Sequence, residues 1–387
     1  MAQGTPRARA WIEVDLDAVR RNAARIAAHA APAGILPMIK ADGYGLGALE
    51  IARTLARLEP YGFGVATVGE GRELREGGIA GRVIVFSPCA AVDADALVES
   101  RLDAAVLGPD GLERLAPLGI GLHLEIDTGM GRAGLRADLA DRWAPRLAEL
   151  IAGGARLESA FTHFHSAGID EPATRGQLSA FDRALAALSG AGVRVPVRHA
   201  GNSDAIAAGS LYHLDLVRPG LYLYGGGRGG DPASGLPAPE PAVGVRARIL
   251  EIRDLAPGST VSYGATYVTP AAERIGTLGI GYADGLPWRM SNRGSVLIRG
   301  VRAPIRGAVC MDVTSVDVSE VPGVEPGDVV TVFGMDGGEG IPLSELAAAA
   351  GTIEYDVLTG LGKRLPRIYV RDAAGGAKTS EADGGNR

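Results

Sequence analysis

Eight short apolar runs in the first 225 or so residues, each followed by a turn and an amphipathic stretch, constrain the fold more than any other feature. Strands that alternate with helices are typical of βαβ units with a parallel sheet. Eight such units favour a closed (β/α)8 barrel over an open sheet. The predicted strands are 35–39, 63–67, 82–86, 104–107, 122–126, 159–164, 196–199 and 214–217.

The character of the sequence changes after Tyr224. Residues 225–241, GGGRGGDPASGLPAPEP, have the composition of a linker. From there on, short predicted strands, among them 260–263, follow one another between turns, and only 343–350 has a good helical pattern. We therefore predict a mainly antiparallel all-β second domain.

The predicted domains are a barrel over 10–238, a β-domain over 239–372 and a disordered tail over 373–387. The tail is expected to be disordered because it has no apolar residue larger than alanine. The segment 11–16 alternates apolar and polar residues and could join either domain.

Composition excludes several classes of protein. A net charge of −6 argues against a nucleic-acid partner. No stretch approaches the roughly 18 consecutive apolar residues of a membrane span, and the opening residues lack the apolar core of a secretory signal. Two cysteines, Cys89 and Cys310, are too few for a disulfide framework or a zinc site. We expect a cytoplasmic protein without a metal.

Polar landmarks follow the predicted barrel strands. In a (β/α)8 barrel the active site lies at the carboxyl ends of the strands, and phosphate commonly binds near the last two loops. Lys40 follows the first strand, Arg132 the fifth, and His163 ends the sixth. The motif HAGNS, 199–203, and the motif RPGLYLYG, 218–225, follow the seventh and eighth. All are predicted to meet on one face.

Lys40 has two interpretations. Its amine either reaches water at the barrel rim or, partly desolvated, forms a Schiff base. The motif HAGNS likewise either caps a helix through Asn202 or Ser203, or offers its donors and a helix terminus to a phosphate.

Arg218 separates the possible chemistries. Pyridoxal phosphate (PLP) enzymes place a carboxylate or an arginine against the pyridine nitrogen. An arginine accepts no proton and leaves that nitrogen unprotonated. Taken alone, Arg218 would better fit a surface or salt-bridging arginine.

Nine motifs together resemble, in order from Trp11 to Tyr369, the successive motifs of the alanine racemases, a PLP family. They are PMIKADGYGLGA, LEIDTGMGRAG, FTHF, HAGNS, LVRPGLYLYG, VSYGATY, IGYADG, GAVCMD and IEYDVL. The resemblance implies a PLP-binding barrel joined to a β-domain, a head-to-tail homodimer with shared sites, and an amino-acid substrate.

The resemblance also implies residue roles. Lys40 would hold the cofactor covalently, with His163 along the ring and Asn202 beside it. His199 would orient Arg218 against the pyridine nitrogen. The phosphate would be bound by Tyr44, Ser203, Gly220, Leu221 and Tyr355.

The substrate would meet residues of both chains. Arg132 would contact the substrate carboxylate and the phenolic oxygen of PLP. The partner would supply Tyr263 as second base, the backbone N–H of Met311 against the carboxylate, and Tyr282 at the entrance. Racemisation needs a base on each face of the α-carbon, so we predict that Lys40 and Tyr263 interconvert L- and D-alanine.

Three positions differ from the residues that the family usually carries, and His165 lies in an unusual segment after FTHF. Gly43 and Leu46 stand where the family usually carries Ala and His, and His165 is read as solvent-facing or satisfied. Glu125 stands where many relatives have a carbamylated lysine, so we predict that its carboxylate pairs directly with Arg132.

Several alternatives remain open. A decarboxylase of the same architecture would use a cysteine, such as Cys310, or another acid near the substrate. A non-catalytic PLP carrier can be a barrel alone, and a PLP-free barrel enzyme with a Schiff-base lysine is the third alternative. Serine or another small amino acid could replace alanine, in cell-wall supply or in a specialised pathway.

Overall fold

A computed structural model describes residues 6–371, and the predicted tail 373–387 lies outside them. The first part is a parallel sheet with strands in the order Gly34–Ile35, Leu216–Arg218, Arg198–Asn202, Arg156–Phe161, Gly121–Asp127, Asp103–Val106, Val83–Val85 and Phe63–Val65. A parallel bridge between Met38 and Gly64 joins the two ends. The predicted (β/α)8 barrel is confirmed, with the two-residue strand Leu135–Arg136 added beside Gly121–Asp127.

Helices pack on the barrel sheet. Leu16–Ala30 precedes the first barrel strand, and each of the others follows one: Ala48–Leu55, Val68–Glu76, Ala94–Glu99, Pro109–Leu115, Ala140–Ala152, Glu171–Gly190 and Ser203–Ala208. Side-chain caps fix several starts, as where Asp170 accepts from the backbone N–H of Ala173. Apolar stripes bury one face of each of the longer helices, which is why they cover the barrel.

The first barrel strand is shorter than predicted. Beyond Gly34–Ile35 the backbone continues through single hydrogen bonds, from Leu36 N–H to the Val217 carbonyl and from Met38 N–H to the Pro219 carbonyl. Pro37 has no N–H to donate, so the regular ladder ends before it. The chain still reaches Lys40 at the barrel mouth.

The second part is built on a mainly antiparallel sheet in the order Val301–Pro304, Ser295–Ile298, Val329–Asp336, Val243–Leu255, Ala10–Asp15 and Arg367–Val370. Strands Glu273–Leu278, Thr314–Asp317 and Glu339–Ile341 pair at its sides, and helices Leu343–Ala350 and Glu354–Thr359 follow. Ala10–Asp15 pairs with Val243–Leu255 and Arg367–Val370. The open question of segment 11–16 is thus answered in favour of the β-domain.

The predicted strand 260–263 is wrong at its end. Thr260–Val261 pairs with Tyr267–Val268, but Ser262 has a φ of 65° and Tyr263 begins a short 3₁₀ turn. A positive φ ends regular strand geometry, so Tyr263 projects from a loop. Within residues 6–371, no helix combines the length and apolarity needed to cross a bilayer.

Candidate active site

The carboxyl ends of the barrel strands enclose a cavity of about 210 Å³. Its walls bring together most of the barrel residues that the sequence singled out, with several others: Met38, Lys40, Tyr44, Phe86, Glu125, Arg132, Phe161, His163, Asn202, Ser203, Arg218, Gly220 and Tyr355. Leu221 is buried next to this set, at the start of the turn Leu221–Tyr224.

Lys40 is presented by an unusual turn. The four residues after it all have left-handed backbone angles, with φ between 52° and 62°. Glu70 holds the turn, since its carboxylate accepts from the N–H of Ala41 at 2.9 Å and from that of Ala66 at 2.7 Å. Gly43, at φ 62°, takes this conformation without strain.

Lys40 is exposed as a residue, and its side chain lies among the walls of the cavity. Burial lowers its pKa, and the positive charge of Arg132 lowers it further. A less basic amine is more often neutral, which is the form that attacks a carbonyl. Lys40 is an exposed residue that also lines the cavity, so its place at the rim and a Schiff-base role are compatible.

One end of the cavity is suited to an anion. The N–H of Gly220 donates to Oγ of Ser203 at 3.0 Å, and a Cβ at Gly220 would lie 2.4 Å from the hydroxyl of Tyr44. The ring of Tyr355 lies 5.9 Å from that of Tyr44. Asn202 caps the helix Ser203–Ala208 through the N–H of Ala205. Hydroxyls and a helix start converge as a phosphate requires.

Arg218 also lines the cavity and is buried. Its guanidinium donates to Nδ1 of His199 at 2.9 Å, and to the carbonyls of Thr162 at 2.8 Å and Ala200 at 3.0 Å. Burial lowers its pKa to about 10, so it stays a cation at neutral pH. The surface-arginine interpretation is wrong.

His163 lies beside Arg218, with Nδ1 at 3.3 Å from the guanidinium. Burial, followed by the charge of Arg218, lowers the pKa of His163 to about 3. The imidazole is therefore neutral and presents an acceptor. His165, by contrast, is exposed and contacts the hydroxyl of Ser166 at 2.7 Å.

Glu125 and Arg132 lie close together on the same wall. The carboxylate of Glu125 is 4.0 Å from the guanidinium of Arg132, the distance of a loose ion pair. Burial raises the pKa of Glu125. Asp127 orders the loop that carries Arg132, since its carboxylate accepts from Gly129 N–H and Gly131 N–H.

Apart from Tyr355, the site residues predicted in the β-domain do not line the cavity of their own chain. Tyr263, Tyr282 and Met311 are 76%, 43% and 51% exposed. Their loops are tied together, because Tyr282 N–H donates to the Cys310 carbonyl and the hydroxyl of Ser262 donates to the Ala308 carbonyl. They form one exposed surface.

Sequence reasoning missed Glu70, Phe86 and Phe161. Glu70 had a readable signal, because Thr67 and Glu70 form a capping box on helix Val68–Glu76. Phe161 stacks on His199 with ring centroids 4.9 Å apart, but an aromatic residue inside a strand gives no sign of that role.

The cavity fits PLP on this chain's own features. An amine of lowered pKa, hydroxyl and backbone groups near Gly220 and the buried cation of Arg218 all line one cavity, as the aldehyde, the phosphate and the pyridine nitrogen of PLP require. The gap that Gly220 leaves beside Tyr44 is where a side chain would block the phosphate end.

Comparisons with known proteins agree with this geometry. The family profile described as "Alanine racemase, N-terminal domain" matches residues 14–227, and "Alanine racemase, C-terminal domain" matches 242–369. The alanine racemase of Desulfosudis oleivorans is 37% identical over 93% of this chain and 96% of its own.

Solved structures are similar over the same length. The alanine racemase of the D-cycloserine producer Streptomyces lavendulae gives a TM-score of 0.88 at 32% identity, covering 95% of this chain and 98% of that one. That of Bartonella henselae, with covalently bound pyridoxal phosphate, gives 0.84 at 29% identity, covering 94% and 100%.

Proposed function

Because the chain belongs to the alanine racemase family, we propose that it is a PLP-dependent isomerase that interconverts L- and D-alanine. The observation that carries the proposal is that the amine of Lys40, with its lowered pKa, and the buried cation of Arg218 line the same cavity. An arginine beside the pyridine nitrogen suits a reaction that returns the proton to the same carbon.

Lys40 would hold the cofactor covalently. The hydroxyls of Tyr44, Ser203 and Tyr355 with the backbone at Gly220 and Leu221 would bind its phosphate, and Asn202 would fix the helix start beside it. When bound, PLP would delocalise the electron pair left on the α-carbon. The neutral imidazole of His163 lies along the same wall and adds no charge.

Arg132 would bind the substrate carboxylate. Its guanidinium is more than half exposed and is held only loosely by Glu125, so it is free to turn toward an anion in the cavity. The Glu125 carboxylate is encoded directly and needs no carbamylation. This arrangement orients the α-carbon relative to the amine of Lys40.

Two residues would then move the proton. The amine of Lys40 removes or returns it on one face, and the phenol of Tyr263 does so on the other. A single residue on one face would return the proton that it removed, without inversion. Each therefore acts as acid for one enantiomer and as base for the other.

Tyr263 would come from a second copy of the chain in a head-to-tail homodimer. Its exposed phenol stands outside the cavity of its own chain, on one surface with Met311 and Tyr282. Large exposed apolar side chains on one surface are typical of an interface. The backbone N–H of Met311 would help to hold the carboxylate, and Tyr282 would line the entrance.

Complementation tests the shared site. Co-expressed Lys40→Ala and Tyr263→Phe chains form mixed dimers in which one site has both bases and the other has neither. We expect each homodimer to be inactive and the mixture, if it assorts randomly, to recover about a quarter of wild-type activity. No recovery in purified mixed dimers would contradict a site shared between chains.

Substrate preference is tested with the same preparation. Racemisation is expected with alanine and much less with serine, lysine or ornithine. Carbon dioxide release without racemisation would favour a decarboxylase. The cytoplasm is the proposed compartment, which agrees with the two free cysteines, Cys89 and Cys310. There the D-alanine formed would supply cell-wall synthesis.

A further inference from the structure

A line of buried polar side chains leads away from Arg218 through the barrel. His199 Nε2 lies 3.0 Å from the hydroxyl of Ser159, and that hydroxyl lies 2.6 Å from Nδ1 of His123. Nε2 of His123 is 3.4 Å from the carboxylate of Asp103. The two histidines and the serine are fully buried.

The line runs inside the barrel. Ser159 pairs with His123 across neighbouring strands, and Glu125 pairs with Phe161 two residues further on. Since alternate residues share a face and both Glu125 and Phe161 line the cavity, Ser159 and His123 face the interior too. Asp103 begins its strand, at the end of the barrel opposite the active site.

The hydrogen bonds can point in only one direction. Arg218 only donates, so Nδ1 of His199 accepts, and the neutral ring carries its proton on Nε2. That N–H donates to Ser159. At the other end the carboxylate of Asp103 can only accept, so the neutral ring of His123 carries its proton on Nε2. Nδ1 of His123 then accepts, and the hydroxyl of Ser159 donates to it.

The charges agree with that direction. Burial lowers the pKa of His123, and burial with the charge of Arg218 lowers that of His199 well below its usual value. Both rings are thus neutral. At Asp103, burial opposes ionisation, but the bond from His123 and the charge of Arg82 outweigh it and lower the pKa.

The carboxylate at the far end is held in place. Arg82 lies 3.2 Å from it, and the N–H of Gly121 donates to it at 3.1 Å. A Cβ at Gly121 would come within 2.6 Å of Cγ of Asp103, so glycine leaves the room that this carboxylate occupies. The carboxylate of Asp103 is therefore held by both an ion pair with Arg82 and a backbone hydrogen bond from Gly121.

We propose that Ser159, His123 and Asp103 are positioning residues that act through His199 to orient the guanidinium of Arg218. A carboxylate at the end of such a series strengthens each acceptor in turn, so Nδ1 of His199 holds Arg218 more firmly. That Arg218 faces the pyridine nitrogen of PLP rests on the proposed function, whereas the direction of the hydrogen bonds does not.

Histidine tautomers test the direction without any assay of activity. In the holoenzyme labelled with ¹⁵N-histidine, His123 and His199 are both expected to be neutral with the proton on Nε2 at pH 7. The six histidines of the chain are few enough to assign by substitution. A doubly protonated ring, or a proton on Nδ1 of either residue, would overturn the proposal.

Substitutions test the effect on Arg218. His123→Phe and Ser159→Ala break the line, whereas His123→Gln keeps one acceptor and one donor. We expect the first two to lower kcat roughly tenfold or more with little change in KM, and His123→Gln to stay within about threefold of wild type. Equal kcat for His123→Gln and His123→Phe would overturn the role.

The two failures are distinguishable. A wild-type protein with the expected tautomers but no racemase activity would contradict the proposed function and leave the direction of the line supported. Full racemase activity with the proton on Nδ1 of His123 would contradict the direction of the line and leave the proposed function supported. Asp103→Asn adds a third comparison, because it removes the charge and one of the two oxygens that accept from Gly121 and His123, and a fall in kcat is expected.

Discussion

Gly220 and Tyr44 are so close that a Cβ on residue 220 would lie 2.4 Å from the tyrosine hydroxyl. The two residues come from opposite ends of the barrel sequence, one after the last strand and one after the first. Their contact brings the backbone of one loop against the phenol of the other. The anion-binding end of the cavity depends on the absence of a side chain at position 220.

Gly220→Ala is expected to weaken PLP binding roughly tenfold, because the new methyl group displaces the Tyr44 hydroxyl from the phosphate site. Titration of PLP into cofactor-free protein measures the change. Tyr44→Phe removes the atom that clashes, so the double variant should lose less affinity than the two single losses added together. Strictly additive losses would mean that the two residues act separately.

Glu125→Gln is expected to raise the KM for alanine severalfold, because the loss of the charge leaves Arg132 without its neighbouring anion. Glu113→Gln is the matched control, since Glu113 is an exposed carboxylate paired with Arg146 away from the cavity. Removal of dissolved carbon dioxide should not change wild-type activity. An unchanged KM in Glu125→Gln would contradict the pairing.

The barrel, and the gathering of Lys40, Ser203 and Arg218 around one cavity, were predictable because each of these residues lies at a strand end. Lys40, Ser203 and Arg218 follow predicted strands, and parallel strands bring their carboxyl ends together. His123 and Ser159 could not be identified in the same way, because inside a strand a polar residue shows neither its partner nor its direction.

Backbone details were also hidden. The sequence 260–263 has a strand pattern, and nothing in it reveals that Ser262 takes a φ of 65° and turns Tyr263 outward. The left-handed turn after Lys40 was equally unreadable. Ala41, Asp42 and Tyr44 are not glycine, and tertiary contacts such as that of Glu70 hold them in it.

Gly43→Ala is expected to destabilise the fold by more than the roughly 1–2 kcal/mol that a left-handed alanine costs. The added Cβ would lie 2.7 Å from Cδ1 of Ile51 and 3.1 Å from the nitrogen of Ala48. Gly78→Ala is the matched control, because Gly78 also has a positive φ but nothing within 4 Å. Urea unfolding measures both, and equal losses would show that the contacts add nothing.

His123→Gln is expected to flatten the dependence of stability on pH. Burial lowers the pKa of His123 from its usual 6.5, so below that pH the unfolded chain binds a proton there that the folded protein does not. The free energy of unfolding therefore falls as the pH falls, by up to about 1.4 kcal/mol per pH unit for this one proton. Glutamine binds no proton in either state, so the variant should lose that part of the slope.

Urea titrations between about pH 7 and 5 at one protein concentration measure the slope of the unfolding free energy against pH, with His165→Gln, at a solvent-exposed position, as the control. If the unfolding free energy falls with pH as steeply in His123→Gln as in wild type, the ring of His123 is already charged in the folded protein. The contact with Asp103 would then have to stabilise that charge.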